Sequence, residues 1–152
     1  MKLSSPAFEQ GGKIPTKYTC EGQNISIPLS FADVPANAKS LVLIMDDPDV
    51  PPSVRKERMY DHWVIYDLPP TVKTLAENST PPGIQGENTS GQNAYAGPCP
   101  PDREHRYFFK LYALDTLLNL PPGATKTQVE KAMEGHILAS SELMGRYNKI
   151  HK

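Results

Sequence analysis

Ten of the sixteen prolines in this chain stand as adjacent pairs: Pro51-Pro52, Pro69-Pro70, Pro81-Pro82, Pro100-Pro101 and Pro121-Pro122. Proline fixes φ and removes a backbone donor, so each pair interrupts any helix or central strand that reaches it. The stretches between the pairs are short and apolar. This pattern predicts stiff, structured loops joining strands, and leaves little room for long helices. With 152 residues the chain suits one domain with a sizeable core.

Three apolar runs carry the core reading. Leu41 to Met45, LVLIM, is continuous and reads as a central strand covered on both faces; it stops at Asp46-Asp47-Pro48-Asp49. Trp63 to Leu68, WVIYDL, and Arg106 to Leu114, RYFFKLYAL, are the other two. Asn24 to Phe31 alternates as a half-buried strand does. Thr71 to Asp102 has no clear period and reads as a long loop packed by its own residues or used for function. From Thr125 the period changes. Thr125 and Gln128 fit a capping box, and Val129, Met133, His136, Ile137, Ser140 and Met144 recur at helical spacing. A helix from Lys126 to Tyr147 is expected, with His136 packed on its face and Met133 and Met144 in the core. The fold class that follows is mainly β, an antiparallel sheet or sandwich with one C-terminal helix.

Net charge is −1, which excludes general attraction to nucleic acid or to an anionic membrane. No apolar run is long enough to span a bilayer. The N-terminus MKLSSPAFEQGGK lacks an apolar signal core, so a cytoplasmic protein is expected. Two cysteines, Cys20 and Cys99, make neither a disulfide framework nor a metal site. The expected state is two reduced thiols, with a bridge between them as the alternative.

Candidate chemistry gathers at strand ends. Alternation puts His105, Tyr107, Phe109, Leu111 and Ala113 on one face, with His105 and Tyr107 at the start. Asp47 ends LVLIM, and His62 begins the following strand. If those two strands are antiparallel neighbours, Asp47, Asp49 and His62 share one corner of the sheet. A third strand entering from that edge adds His105 and Tyr107. Imidazole and phenol donors beside a carboxylate suit a small anionic ligand held at fixed geometry. The prolines around that corner would stiffen its rim. Gly97 would permit close backbone approach to the ligand.

Asp47-Pro48-Asp49-Val50-Pro51, Asp61-His62-Trp63-Val64, Gly97-Pro98-Cys99-Pro100-Pro101 and His105-Arg106-Tyr107 occur in order. Tyr18-Thr19-Cys20-Glu21-Gly22, Gly135-His136-Ile137-Leu138-Ala139 and Glu142-Leu143-Met144-Gly145 accompany them. This set resembles the phosphatidylethanolamine-binding protein family, in its bacterial and archaeal Raf kinase inhibitor-like branch. The resemblance implies a large antiparallel sheet packed with a smaller one, plus short helices. It implies a ligand pocket at Asp47, His62, Gly97, Pro98, His105 and Tyr107, to which the strand-end reading adds Asp49. It also implies phosphate-like ligands, no cofactor, regulation of a kinase or protease by some members, and homodimers among bacterial relatives. The chain departs from the branch at Arg103, near which a glycine is usual, and at Phe31, where tryptophan is frequent. The C-terminal helix of eukaryotic members is absent or different, so kinase inhibition is not carried over.

Other readings compete. A hydrolase or phosphotransfer enzyme could use the histidines and aspartates, with Cys99 as nucleophile. Two histidines and a carboxylate could hold a metal. The segment Val54 to Tyr60 could contact a kinase or protease partner. His151 falls in the tail.

Overall fold

The computed structural model describes residues 1–150. The strands are β1 (Lys2–Ser4), β2 (Leu29–Ala32), β3 (Ser40–Asp47), β4 (Tyr60–Leu68), β5 (Thr74–Leu75), β6 (Ile84–Gln85), β7 (His105–Leu114) and β8 (Ile137–Tyr147), with a 3-10 turn at Thr16–Tyr18 and, among the described residues, one α-helix, α1 (Lys126–Met133). Five strands form the larger sheet in the order β6-β4-β3-β7-β8, and β1-β2-β5 form the smaller. Every pairing between named strands is antiparallel.

The LVLIM run lies at the centre of the large sheet and is buried along its whole length. Its side chains alternate between two cores. Leu41, Leu43 and Met45 join Trp63, Ile65, Phe109 and Leu111 against Leu3, Leu29 and Phe31 of the smaller sheet. Val42 and Ile44 join Val64 and Tyr66 under Val129 and Met133 of α1. A strand covered on both faces cannot alternate with polar residues, which is why its sequence reads as a solid apolar run. None of the described helices is long and apolar enough to cross a membrane.

Several expectations are corrected. The helix ends at Met133 instead of continuing to Tyr147. The capping box forms as expected at Thr125 and Gln128, but Gly135 adopts a left-handed φ of 80° and turns the chain out of the helix. The remainder pairs with β7 over its whole length, and its buried residues Leu143, Gly145 and Tyr147 recur every second position. The helical spacing of Ile137, Ser140 and Met144 was therefore coincidental. His136 lies in the turn, half exposed, with its Nδ1 2.8 Å from Asp115 Oδ1. Met133 is in the core, and Met144 is half-buried.

The cysteines are not reduced thiols: Cys20 and Cys99 form a disulfide. The Cys20 amide donates to the Pro98 carbonyl at 3.1 Å, which sets the two segments side by side. The loop from Thr71 to Asp102 also contains β5 and β6, each only two residues long and too short to show a period. His151 lies outside the described residues.

Candidate functional site

The corner inferred from strand order exists. The end of β3 meets the start of β4 at Asp47↔Tyr60, and β7 enters on the other side of β3 at Asp46↔Phe108. A pocket of about 220 Å³ opens there, lined by Asp47, His62, Gly97, Cys99, His105 and Tyr107 with an apolar mouth of Val50, Val54, Tyr60 and Pro101.

Simple alternation would put His62 on the opposite face from Trp63, towards α1. The register passes from Met45↔Trp63 to Asp46↔Asp61, so His62 is the extra residue of a β-bulge. A bulge turns two successive side chains to one face, and His62 thereby meets Tyr107 edge-on with ring centroids 5.2 Å apart. Asp61 turns the other way, where its Oδ1 lies 2.8 Å from Lys126 Nζ on α1. The same lysine and Lys110 reach Asp46, so the residue next to Asp47 is occupied by a separate charge network on the far face.

At the base, His105 is held at both nitrogens. Its Nδ1 lies 2.6 Å from Asp47 Oδ2, and its Nε2 lies 2.7 Å from Asp102 Oδ1. An ionised carboxylate only accepts, so a ring N–H is the donor wherever His105 meets one. Burial pushes the Asp47 carboxyl above its usual range, against the hydrogen bond from His105. The bond to His105 holds the Asp102 carboxyl below that range. Asp47 also accepts from the Asp49 amide at 2.7 Å, which closes the Asp-Pro-Asp turn.

His62 is different. Its Nδ1 is 2.6 Å from the Ala96 carbonyl, and burial lowers its pKa to about 4. The ring is neutral near pH 7, donates from Nδ1, and has an acceptor lone pair on Nε2. The Tyr107 hydroxyl is buried and donates to no acceptor, although the Cys99 backbone amide faces its oxygen. Burial first, and Asp47 second, push its pKa upward, so it stays a neutral donor. The pocket therefore holds one uncommitted donor and one uncommitted acceptor, on rings whose centroids are 5.2 Å apart.

Of the residues expected at the site, Asp47, His62, Gly97, His105 and Tyr107 line the pocket. Asp49 and Pro98 do not. Asp49 turns to the rim and grips Arg106, with Nε 2.9 Å and Nη2 2.8 Å from its two oxygens. Pro98 is buried beside the disulfide. Gly97 uses its close backbone approach on the protein itself: its amide donates to Asn24 Oδ1 at 2.9 Å, and a Cβ there would lie 2.3 Å from the Tyr18 carbonyl oxygen. Arg103 is largely in solvent; its guanidinium reaches the Asp49 and Glu104 carbonyls and, at 3.7 Å, the Asp102 carboxylate. Asp102 was missed; a carboxylate three residues before a strand-opening histidine was the available signal. Among the described residues, no group of three His, Cys, Asp or Glu side chains is placed to hold a metal ion.

Residues 4–148 match the family model for phosphatidylethanolamine-binding protein. A UPF0098 protein of Chlamydia trachomatis serovar D is 55% identical over 149 residues, covering 98% of this chain and 99% of that one. A UPF0098 protein of Methanothermobacter thermautotrophicus is 51% identical over 155 residues, covering 98% and 99%. Among solved structures, the phosphatidylethanolamine-binding protein homolog CT736 of Chlamydia trachomatis superimposes with a TM-score of 0.95 at 55% identity, covering 97% of each chain. Escherichia coli YbcL, described as a member of the mammalian family, superimposes with a TM-score of 0.86 at 27% identity, covering 97% of this chain and 98% of that one.

Proposed function

We propose that this chain, which belongs to the phosphatidylethanolamine-binding protein family, is a non-enzymatic binding protein for a small phosphate-like group. The observation that carries this reading is the buried Tyr107 hydroxyl, which has no acceptor, beside a neutral His62 whose Nδ1 is taken by Ala96 and whose Nε2 can accept. A buried hydroxyl without a partner costs roughly 1–3 kcal/mol, a cost that a bound acceptor removes. A singly protonated phosphate monoester meets both groups at once. Its P–OH donates to His62 Nε2, and an anionic oxygen accepts from Tyr107. The apolar mouth of Val50, Val54, Tyr60 and Pro101 suits a ligand with a small hydrocarbon body behind the phosphate.

Calorimetric titration with inorganic phosphate, phosphoethanolamine and a nucleotide tests this. Saturable binding is expected, weakened about tenfold or more in Tyr107→Phe, since a hydrogen bond to a charged group contributes about 1.5–3 kcal/mol. Absence of saturation at millimolar concentration, or equal binding by Tyr107→Phe, contradicts it.

A further inference from the structure

His105 and Asp102 form an unequal couple. His105 is fixed: its side chain is 1% exposed, its backbone lies within β7, and Asp47 holds its Nδ1. Asp102 sits outside any strand, in the bend before β7, with its side chain 39% exposed. Apart from His105 its carboxylate meets the neighbouring Arg103, through the backbone amide and through Nε at 3.7 Å in an exposed pair. Pro101, its neighbour in the chain, lines the pocket mouth. A carboxylate oxygen on His105 Nε2 takes the position and the N–H that a phosphate oxygen would take, because both are anionic acceptors of similar reach. Releasing Asp102 exposes its carboxylate to water and breaks no other strong contact.

We propose that Asp102 is a built-in anion that occupies His105 Nε2 in the unliganded protein, and that an incoming phosphate-like group completes its binding by displacing it. This rests on the reading of the pocket given above. Asp102 then sets a threshold. Ligands able to offer an anionic oxygen to His105 bind with three anchors, His62, Tyr107 and His105. Neutral ligands leave Asp102 in place and meet only the first two. Apparent affinity is the intrinsic affinity multiplied by the fraction of molecules in which Asp102 has let go.

The test is titration of the full chain with inorganic phosphate and with phosphoethanolamine at physiological salt, in four proteins: the natural sequence, Asp102→Ala, Asp102→Asn and Glu104→Gln. Glu104 bonds Arg146 rather than His105, so its variant reports the effect of removing one nearby charge alone. Roughly tenfold tighter binding is expected for Asp102→Ala. A smaller gain is expected for Asp102→Asn, whose amide oxygen still accepts, and less than twofold for Glu104→Gln. Nitrogen NMR of the imidazole gives an independent reading: the hydrogen-bonded His105 Nε2–H is lost in free Asp102→Ala and returns when phosphate is added. Unchanged or weaker binding by Asp102→Ala, or an equal gain in Glu104→Gln, overturns the proposal while leaving the pocket reading intact. Failure of all four proteins to bind overturns both.

Discussion

The Cys20–Cys99 disulfide offers a large effect on stability that can be worked from the structure. It links residues separated by 79 positions. Closing a loop of that length in the unfolded chain removes about 4.5 kcal/mol of entropy at 25 °C by the chain-entropy relation. Folded domains are stable by about 5–15 kcal/mol, so the bond accounts for a large part of the total. The folded state, in contrast, keeps these segments together by other means. Cys20 N donates to Pro98 O, Gly97 N to Asn24 Oδ1, and Tyr95 OH to Tyr18 O. The double variant Cys20→Ser/Cys99→Ser should therefore fold to the same pocket with stability reduced by about 3–4.5 kcal/mol. Urea unfolding of the variant and of the natural protein, with and without reductant, measures this. Thiol titration of the denatured, unreduced protein should find no free thiol. A loss under about 1 kcal/mol with the bond verified by mass would refute the loop-closure reasoning. A correct loss accompanied by a collapsed pocket would refute the claim that hydrogen bonds hold the wall.

Three further outcomes follow from the site. His62 has a pKa of about 4 when folded against 6.5 ordinarily, so the unfolded chain takes up its proton first as pH falls. The stability it provides is complete above pH 6.5 and is lost towards pH 4, by about 3 kcal/mol; the difference between pH–stability curves of the natural protein and His62→Gln should show that slope. Gly97→Ala drives a Cβ to within 2.3 Å of the Tyr18 carbonyl oxygen, and chemical denaturation should show a loss of about 1–3 kcal/mol together with weakened phosphate binding. Asp47→Ala leaves His105 Nδ1 and the Asp49 amide without their buried acceptor, and should cost about 3–5 kcal/mol by the same assay.

The residues that were legible in the sequence are those whose local pattern and tertiary role coincide. The run at β3 is apolar on both faces because both are covered, and β4 and β7 announce themselves in the same way. Their ends gave the corner, and so Asp47, His105 and Tyr107. His62 was placed there by strand order, but strict alternation points it away; a bulge at Asp61–His62 corrects its aim, and nothing local in Asp-His-Trp-Val marks it. The end of α1 hinged on Gly135, whose positive φ outweighed a helical spacing that continued by chance into an edge strand. The disulfide and the Asn24–Gly97 bond join segments more than seventy residues apart, a proximity that only the packed fold creates. The contact of Asp102 with His105 depends on how one bend folds back over a strand start, which residue types alone do not determine.

The central claim is that the pocket between β3, β4 and β7 receives an anion. A crystal of the natural protein soaked in phosphate tests it most directly. The expected density is one phosphate within hydrogen-bonding distance of Tyr107 Oη, His62 Nε2 and His105 Nε2, with the Asp102 carboxylate turned out to solvent. An ordered pocket holding only water, with Asp102 still on His105 at saturating phosphate, would contradict it.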